Sequence, residues 1–431
     1  MQLPAALRHR NYQYYFAGQG LSVLGTWMQR VAMYWLVYRL SGSELLLGLS
    51  GFMSQVPVLV IGPFGGIWAD RADRRRLLIL TQAAAMVQAA LLAYLTLSGN
   101  VQVWHVIAMS GMLGIINAVD MPLRQSFVVD IVGDRKDLPS AIAMNSLTNN
   151  SGRLIGPSIA GATIAVTSEG ACFAFNALSY LAVLCALLAM RIDHVRPPRE
   201  HAGVIDALKG GARYAWRNWP VRRLLFLLAC MSFMATPYTV LMPVYVDRVL
   251  HGGPHTMGYM LSAAGVGAVI GTAYLAVRSQ LKGLVTIIAS SVIAAGAALV
   301  VFAVSPSIYV SGAMMAVVGF GVVVTGAGVN TLIQVIVADA MRGRVMSFYT
   351  MSFMGVAPLG SISIGAIAAA AGVQVALGLG GVACAAAGVQ FIRGRERVRT
   401  ALRAAAEDRE KALLTAKDAK ESQNGFPPAR E

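Results

Sequence analysis

Long apolar runs separated by short polar connections dominate the chain. Each run is long enough to cross a bilayer, which takes about 20 apolar residues in a helix. Six runs precede a charged stretch and six follow it, which predicts an all-α integral membrane protein of about twelve transmembrane helices in two pseudo-symmetric halves. The runs lie at Tyr12–Tyr38, Leu45–Trp68, Leu77–Leu97, Val103–Leu123, Ala141–Val166, Ala171–Met190, Leu224–Val246, Thr256–Val277, Leu284–Val304, Ile308–Ile336, Val345–Ala370 and Val373–Ile392.

The charged stretch separates the two halves. We expect an N-terminal six-helix half at 1–190, a cytoplasmic linker at 191–223, a C-terminal six-helix half at 224–392 and a cytoplasmic tail at 393–431. In the linker, GVIDALKGGARYAWRNW has apolar residues at helical spacing beside basic ones, which predicts an amphipathic helix at the membrane interface. The tail is rich in Ala, Arg, Glu and Lys, which predicts a helix followed by disorder.

Basic residues gather on one side of the predicted bundle. The chain is 56% apolar and 13% charged, which excludes an ordinary soluble domain, since such domains are about a quarter charged. Its net charge of +15 comes from alternate connections, whereas the opposite connections hold only Arg39 and Arg248. Because insertion resists the translocation of Lys and Arg, both termini are predicted to be cytoplasmic. No basic patch with interleaved aromatics accompanies the charge, so no nucleic-acid partner is expected.

The connection after the second run has a distinctive sequence, GIWADRADRRRLL, from Gly66 to Leu78. It resembles the GxLaDrxGrkxxL signature of the major facilitator superfamily, with Trp68 in place of Leu and Asp73 in place of the second Gly. By this resemblance, the cytoplasmic latch that joins the halves when the other side is open comprises Gly66, Asp70, Arg71, Arg74 and Arg75. The alternative is that the arginines only follow the positive-inside rule.

The fifth run carries GRLIGPSIAG, which is similar to a Gly-Pro signature in the fifth helix of antiporters of this superfamily. The matching residues are Gly152, Gly156, Pro157 and Gly161. Glycines permit close helix contact and proline bends a helix. A packing kink and a role in setting transport direction both fit this pattern.

The two halves also resemble each other. YRLSGSELLLG, ending at Gly48, aligns loosely with VDRVLHGGPHTMG, ending at Gly258. A parallel repeat of two six-helix halves places the substrate site near the membrane midplane between them.

Two further segments, NAVDMPLRQSFVVDIV and ADAMRGRVMS, extend the resemblance to the enterobactin-exporter-like and drug-efflux branch of the superfamily. This resemblance implies a secondary transporter in the bacterial inner membrane that exports a siderophore, drug or metabolite by alternating access. It also implies a monomer in the lipid bilayer, driven by the proton gradient and without a cofactor. A non-transporting sensor or scaffold and an importer of the same fold are the alternatives.

Motifs for other kinds of chemistry are missing from the sequence. It has no HExxH, GxSxG or Walker-type segment, so neither an enzyme nor ATP-driven transport is expected. The four cysteines lie inside apolar runs without a CxxC pair, so no metal site is predicted.

Polar residues inside the spans should face the interior, because exposing them to lipid is costly. The candidates for the substrate pathway are Gln19, Thr26, Gln29, Arg30, Asn117, Asn145, Asn149, Arg153, Tyr238, Asn330 and Gln334. Asp120 is the candidate for proton coupling, with a structural ion pair to Arg124 as the alternative. Arg30 and Arg153 either form structural pairs or suit an anionic, catecholate-like substrate.

Overall fold

The computed structural model describes residues 4–71, 73–132, 136–190, 204–278 and 283–405. The described chain is built from helices, which confirms the predicted all-α class. The helices are α1 Arg10–Ser41, α2 Glu44–Arg71, α3 Arg74–Leu97, α4 Val103–Val132, α5 Leu138–Val166, α6 Glu169–Ala189, α7 Val204–Arg217, α8 Trp219–Met234, α9 Tyr238–Arg248, α10 Pro254–Val277, α11 Leu284–Val304, α12 Ile308–Ile336, α13 Asp339–Thr350, α14 Ala357–Ala371 and α15 Val373–Arg393.

Most of these helices are long and apolar enough to cross a membrane. Ten such segments lie among the described residues. Two of them are interrupted spans, because α8 and α9 form one and α13 and α14 form another across a π-helical turn at Met351–Gly355. Helices α1 and α5 fall outside this set, but with 32 and 29 residues they are long enough to cross a bilayer, and counting them the described part of the chain has the predicted twelve.

Two seams of small residues join the halves. Helix α2 packs on α14, and α5 packs on α10. In the first seam, a Cβ atom on Gly365 would lie 2.9 Å from the Cα of Gly48. In the second seam, a Cβ on Gly258 would lie 2.5 Å from the carbonyl oxygen of Pro157. The aligned glycines Gly48 and Gly258 therefore occupy equivalent contacts, which is the pseudo-symmetry that the repeat predicted.

The seams define one end of the bundle, which we call the closed end. It carries the connection between α1 and α2 and the connection between α9 and α10. A hydrogen bond of 2.7 Å between the hydroxyls of Ser158 and Ser262 crosses the second seam. Further inward along the seams, Leu59 lies against Gly355 and Arg153 lies against Gly265.

The predicted linker helix is present as α7. Its Gly211 lies against α13, where a Cβ would come within 3.0 Å of the carbonyl oxygen of Arg344. The linker is therefore packed against the C-terminal half through small residues. In the tail, a helix covers 395–405, and the predicted disordered segment lies outside the described residues.

Candidate functional site

The turn before α3 explains the departure at Asp73. Its carboxylate accepts hydrogen bonds from the backbone N–H groups of Arg75 at 3.0 Å and Arg76 at 3.2 Å. Its φ of −66° requires no glycine. Asp73 is therefore an N-cap of α3, a position where aspartate is favoured because it satisfies free N–H groups.

The described arginines of the same motif make contacts inside one half. Arg74 pairs with Asp130 on α4 at 2.9 Å. Arg75 donates to the carbonyl oxygens of Leu187 at 2.8 Å and Leu188 at 3.0 Å, at the end of α6. These contacts tie α3 to α4 and α6. The contacts of Gly66 and the side chains of Asp70 and Arg71 lie outside the described part of the structure, so the latch stays a prediction.

The motif of α5 makes two separate contacts. Gly152 and Gly156 face Trp27 of α1, and a Cβ on Gly156 would lie 2.6 Å from the Cβ of Trp27. Pro157 and Gly161 lie instead in the seam with α10. The motif therefore fixes Trp27 within one half and allows the close approach of the other half. These contacts agree with the packing alternative, and a role in transport direction stays a prediction.

Gln29 belongs to a buried amide network. Its Nε2 donates to Oε1 of Gln88 at 2.9 Å, and its Oε1 accepts from Nδ2 of Asn176 at 2.7 Å. Gln88 in turn donates to the carbonyl oxygen of Met109 at 3.2 Å. Only 1% of Gln29 is exposed, so the network joins α1, α3, α4 and α6 and leaves Gln29 no free face.

Asp120 lies in a second buried network. Only 2% of the residue is exposed, and its Oδ1 accepts from the Thr81 hydroxyl at 2.8 Å and the Gln82 amide at 2.7 Å. Its Oδ2 pairs with Arg124 one helical turn later. Such a fully engaged carboxylate supports the structural alternative, and proton coupling through Asp120 stays a prediction.

The other pathway candidates divide into buried and accessible groups. Gln19 and Tyr238 are buried, and Thr26, Asn117 and Asn145 are half-buried. Thr26 donates to the carbonyl oxygen of its own helix at Ser22, 2.8 Å away. Gln19 and Tyr238 are therefore packed between helices, whereas Thr26, Asn117 and Asn145 are partly accessible.

The accessible candidates lie towards the end of the bundle opposite the closed end. Asn149 is exposed and donates to the carbonyl oxygen of Asn145 at 2.9 Å. On α12, the exposed Gln334 donates to Asn330 one turn before it. Gln334 also lines a cavity of about 220 Å³ with Thr331, Val335 and Arg342. Polar amides of both halves are thus accessible on this side of the seams.

Arg30 lies between the two seams. Its guanidinium carbon is 4.6 Å from the centroid of the Trp27 ring, and Trp27 contacts α5. Helix α1 also packs against α2. Since α5 and α2 each form one seam with the other half, Arg30 faces the space between the halves. It is exposed although it lies about 17 Å from the closed end of α1.

Polar contacts close the outer rim of the seams. Arg248 of α9 pairs with Glu44 of α2 and donates to the carbonyl oxygen of Gly42 at 3.3 Å. The hydroxyl of Tyr38 donates to Oδ2 of Asp247 at 2.6 Å. We call Tyr38, Glu44, Asp247 and Arg248 the outer clamp, since they join α1 and α2 to α9 of the other half.

The sequence-based predictions missed the clamp and Trp27. Arg39 and Arg248 stood out as the only basic residues of the outer connections, and this was the available signal. Both are ion-paired in the structure. Arg39 binds Glu169 of α6 at 2.7 Å, and Arg248 binds Glu44 of α2. The Arg39 pair lies within one half, whereas the Arg248 pair joins the two halves.

Residues 3–423 match the transmembrane secretion effector family of the major facilitator superfamily. The chain belongs to that family. Members of this family are membrane transporters, so the chain is a membrane transporter and not an enzyme. The bundle of long apolar helices agrees with this.

Two similar proteins are also transporters. The chain is 28% identical to a staphyloferrin A transporter of Staphylococcus aureus, over 81% of this chain and 87% of the relative. It is 25% identical to the multidrug efflux pump Tap of Mycolicibacterium fortuitum, over 83% of this chain and 87% of the relative.

Solved structures show the same fold. A bacterial homologue of the human lysosomal transporter Spinster, inward-facing and unoccupied, matches with a TM-score of 0.65 at 15% identity, covering 95% of this chain and 99% of that one. The nucleoside transporter NupG matches with a TM-score of 0.68 at 12% identity, covering 89% and 98%. The twelve-span bundle of the secretion effector is thus the major facilitator fold.

Proposed function

We propose that this protein is a secondary active exporter of a small amphipathic molecule, working by proton-coupled alternating access in the bacterial inner membrane. The similarity to a multidrug efflux pump supports export. The two halves, 1–190 and 224–392, would move against each other around the linker at 191–223, as a monomer with the tail at 393–431 in the cytoplasm. The cargo would be a siderophore, a drug or a metabolite.

The distribution of basic residues supports an orientation with both termini in the cytoplasm. In that orientation the closed end faces away from the cytoplasm. The seams and the outer clamp then form an outer gate that is shut, and the structure is an inward-facing state. The motif from Gly66 to Leu78 would form the latch of the opposite state.

One observation carries the proposal. Arg30 lies deep in the bundle beneath two closed seams, yet it is exposed. Since Arg30 faces the space between the halves and the seams close that space on the outer side, access to it would come from the cytoplasmic side in the proposed orientation. A charged group that is reachable from one side only, between two halves that contact each other through exchangeable seams, is the arrangement that alternating access requires.

A metabolite and drug-sensitivity profile of a deletion strain tests the function. We expect at least one small amphipathic compound to accumulate inside the deletion strain, and expression of the wild-type gene to reverse the accumulation. A protonophore should abolish the reversal, because the proton gradient drives export. An unchanged profile would contradict transport, and a compound depleted from the deletion strain would indicate import.

The outer clamp gives a prediction on gating. Reversing one charge, in Glu44→Arg or Arg248→Glu, should place like charges together across the halves and reduce export of the accumulating compound. The double variant Glu44→Arg with Arg248→Glu should restore most of the export, because the pair is rebuilt with exchanged signs. The measurement is the intracellular level of that compound.

The pair of Arg39 with Glu169 is the matched control for the clamp. It lies in the same outer region but within one half, so Arg39→Gln should change export much less than either reversal. Equal losses in all single variants, without recovery in the double variant, would contradict a gating role of the clamp.

A further inference from the structure

Two arginines converge at the inner edge of the closed seams. Arg30 stacks on the ring of Trp27, and Gly152, the neighbour of Arg153, lies against the same ring, where a Cβ would come 3.0 Å from its Cδ1 atom. The two arginines therefore lie on either side of one tryptophan, close enough for their like charges to act on each other. In the ranges that the structure describes, neither of them pairs with a carboxylate. Two neighbouring positive charges without a counter-ion repel each other, and placing them at the depth of a membrane is costly.

The nearby carboxylates cannot supply the missing negative charge. Each described carboxylate of the N-terminal membrane half already has its own partner. These partnerships are Glu44 with Arg248, Asp73 with Arg76, Asp120 with Arg124, Asp130 with Arg74, Asp137 with His9, and Glu169 with Arg39. The positive charge of the arginine pair is therefore left for a group from outside the chain.

The surroundings of Arg30 fix how that group would be recognised. Gly152 and Gly156 leave room for Trp27, and the Trp27 ring carries the Arg30 guanidinium on its face at 4.6 Å. A guanidinium placed over a ring keeps its N–H donors at its edge, where they can bind a carboxylate in a bidentate manner. The Trp27 side chain also adds apolar surface beside the charge.

The backbone of Arg153 lies at the seam with α10. A Cβ on Gly265 would come within 2.9 Å of its carbonyl oxygen. The seam therefore holds Arg153 near the other half, while Arg30 stays exposed between the seams.

We propose that Arg30, Arg153 and Trp27 form a binding site for an anionic group, a carboxylate or similar planar oxyanion, attached to an apolar aromatic body. Its role in transport rests on the proposed function, whereas binding does not. Occupation of the site would neutralise the like charges at the edge of the seams. Anionic amphipathic cargo would be preferred over the neutral analogue of the same shape.

Equilibrium binding to the purified full-length protein in detergent tests the site, with 2-naphthoate and its neutral analogue 2-naphthamide as probes. We expect the wild-type protein to bind the carboxylate more tightly than the amide. Arg30→Gln and Arg153→Gln should each weaken naphthoate binding by about tenfold or more, since each removes a charge-assisted hydrogen-bond donor. Binding of the amide should change little.

Two kinds of control variant complete the experiment. Arg213→Gln removes an exposed charge on α7 and should leave naphthoate affinity unchanged. Arg30→Lys and Arg153→Lys keep the charge but lose the planar fork, so their losses should be smaller than those of the glutamine variants. If a glutamine variant does not fold, the lysine variant at that position decides, and wild-type affinity there would overturn the site.

The outcomes separate this site from the proposed function. Equal affinity for the acid and the amide, no binding of naphthoate, or undiminished binding in the Arg30 and Arg153 variants would overturn the anion site. Charge-selective binding together with an unchanged deletion profile would leave the site standing and contradict export. Export of some compound without charge-selective binding would contradict the site alone.

Discussion

Replacing Gly258 by leucine is expected to abolish export while the protein stays folded. In the closed seam, even a Cβ at this position would lie 2.5 Å from the carbonyl oxygen of Pro157, and a backbone atom cannot give way as a side chain can. The seam could then not close, and the halves would stay apart at the outer side. We expect Ser262→Cys, nearly buried in the wild-type seam, to react with a thiol reagent much faster in this background.

Gly111 is the matched control for that substitution. It also lies in a membrane helix, but a Cβ there would meet nothing within 4 Å. Gly111→Leu should therefore leave export and Ser262→Cys labelling unchanged. Wild-type export by the folded Gly258→Leu variant would show that closure of the seam is not part of the cycle.

Replacing Asp120 by asparagine is expected to destabilise the protein strongly. Asp120 is the counter-ion of Arg124 in the interior of the N-terminal half. Breaking a buried ion pair leaves one charge uncompensated and costs about 3–5 kcal/mol. The midpoint of thermal unfolding in detergent should fall, and the double variant Asp120→Asn with Arg124→Gln should recover most of it.

The more exposed pair of Asp130 with Arg74 is the control, since exposed pairs contribute about 0–1 kcal/mol. Asp130→Asn should therefore lower the unfolding midpoint much less. If Asp120→Asn instead keeps wild-type stability, still exchanges substrate, and loses only the response to the proton gradient, then Asp120 carries the proton and the structural account is wrong.

The span pattern and the repeat could be predicted from the sequence because they depend on local composition. Apolar runs determine the helices, and the aligned glycines Gly48 and Gly258 do lie at equivalent seams. Asp73 could be recognised as a departure, but its capping role required the geometry of the following turn. The sequence thus predicted the features that depend on residues close together along the chain.

Tertiary partners could not be predicted in the same way. Gln29 and Arg30 are adjacent on α1, yet one is sealed in an amide network and the other is exposed between the halves. Sequence spacing places both on a polar face but does not give the helices that surround it. The outer clamp was missed for a related reason, because Glu44 and Arg248 are brought together only by the contact between the halves.

A reversible cross-link across the second seam tests alternating access most directly. The hydroxyls of Ser158 on α5 and Ser262 on α10 are 2.7 Å apart, so cysteines at both positions should form a disulfide between the halves. In a background without the four native cysteines, oxidation should stop export of the compound that accumulates in the deletion strain, and a reductant should restore it. Full export by the cross-linked protein would contradict the account, because the outer gate could then not open.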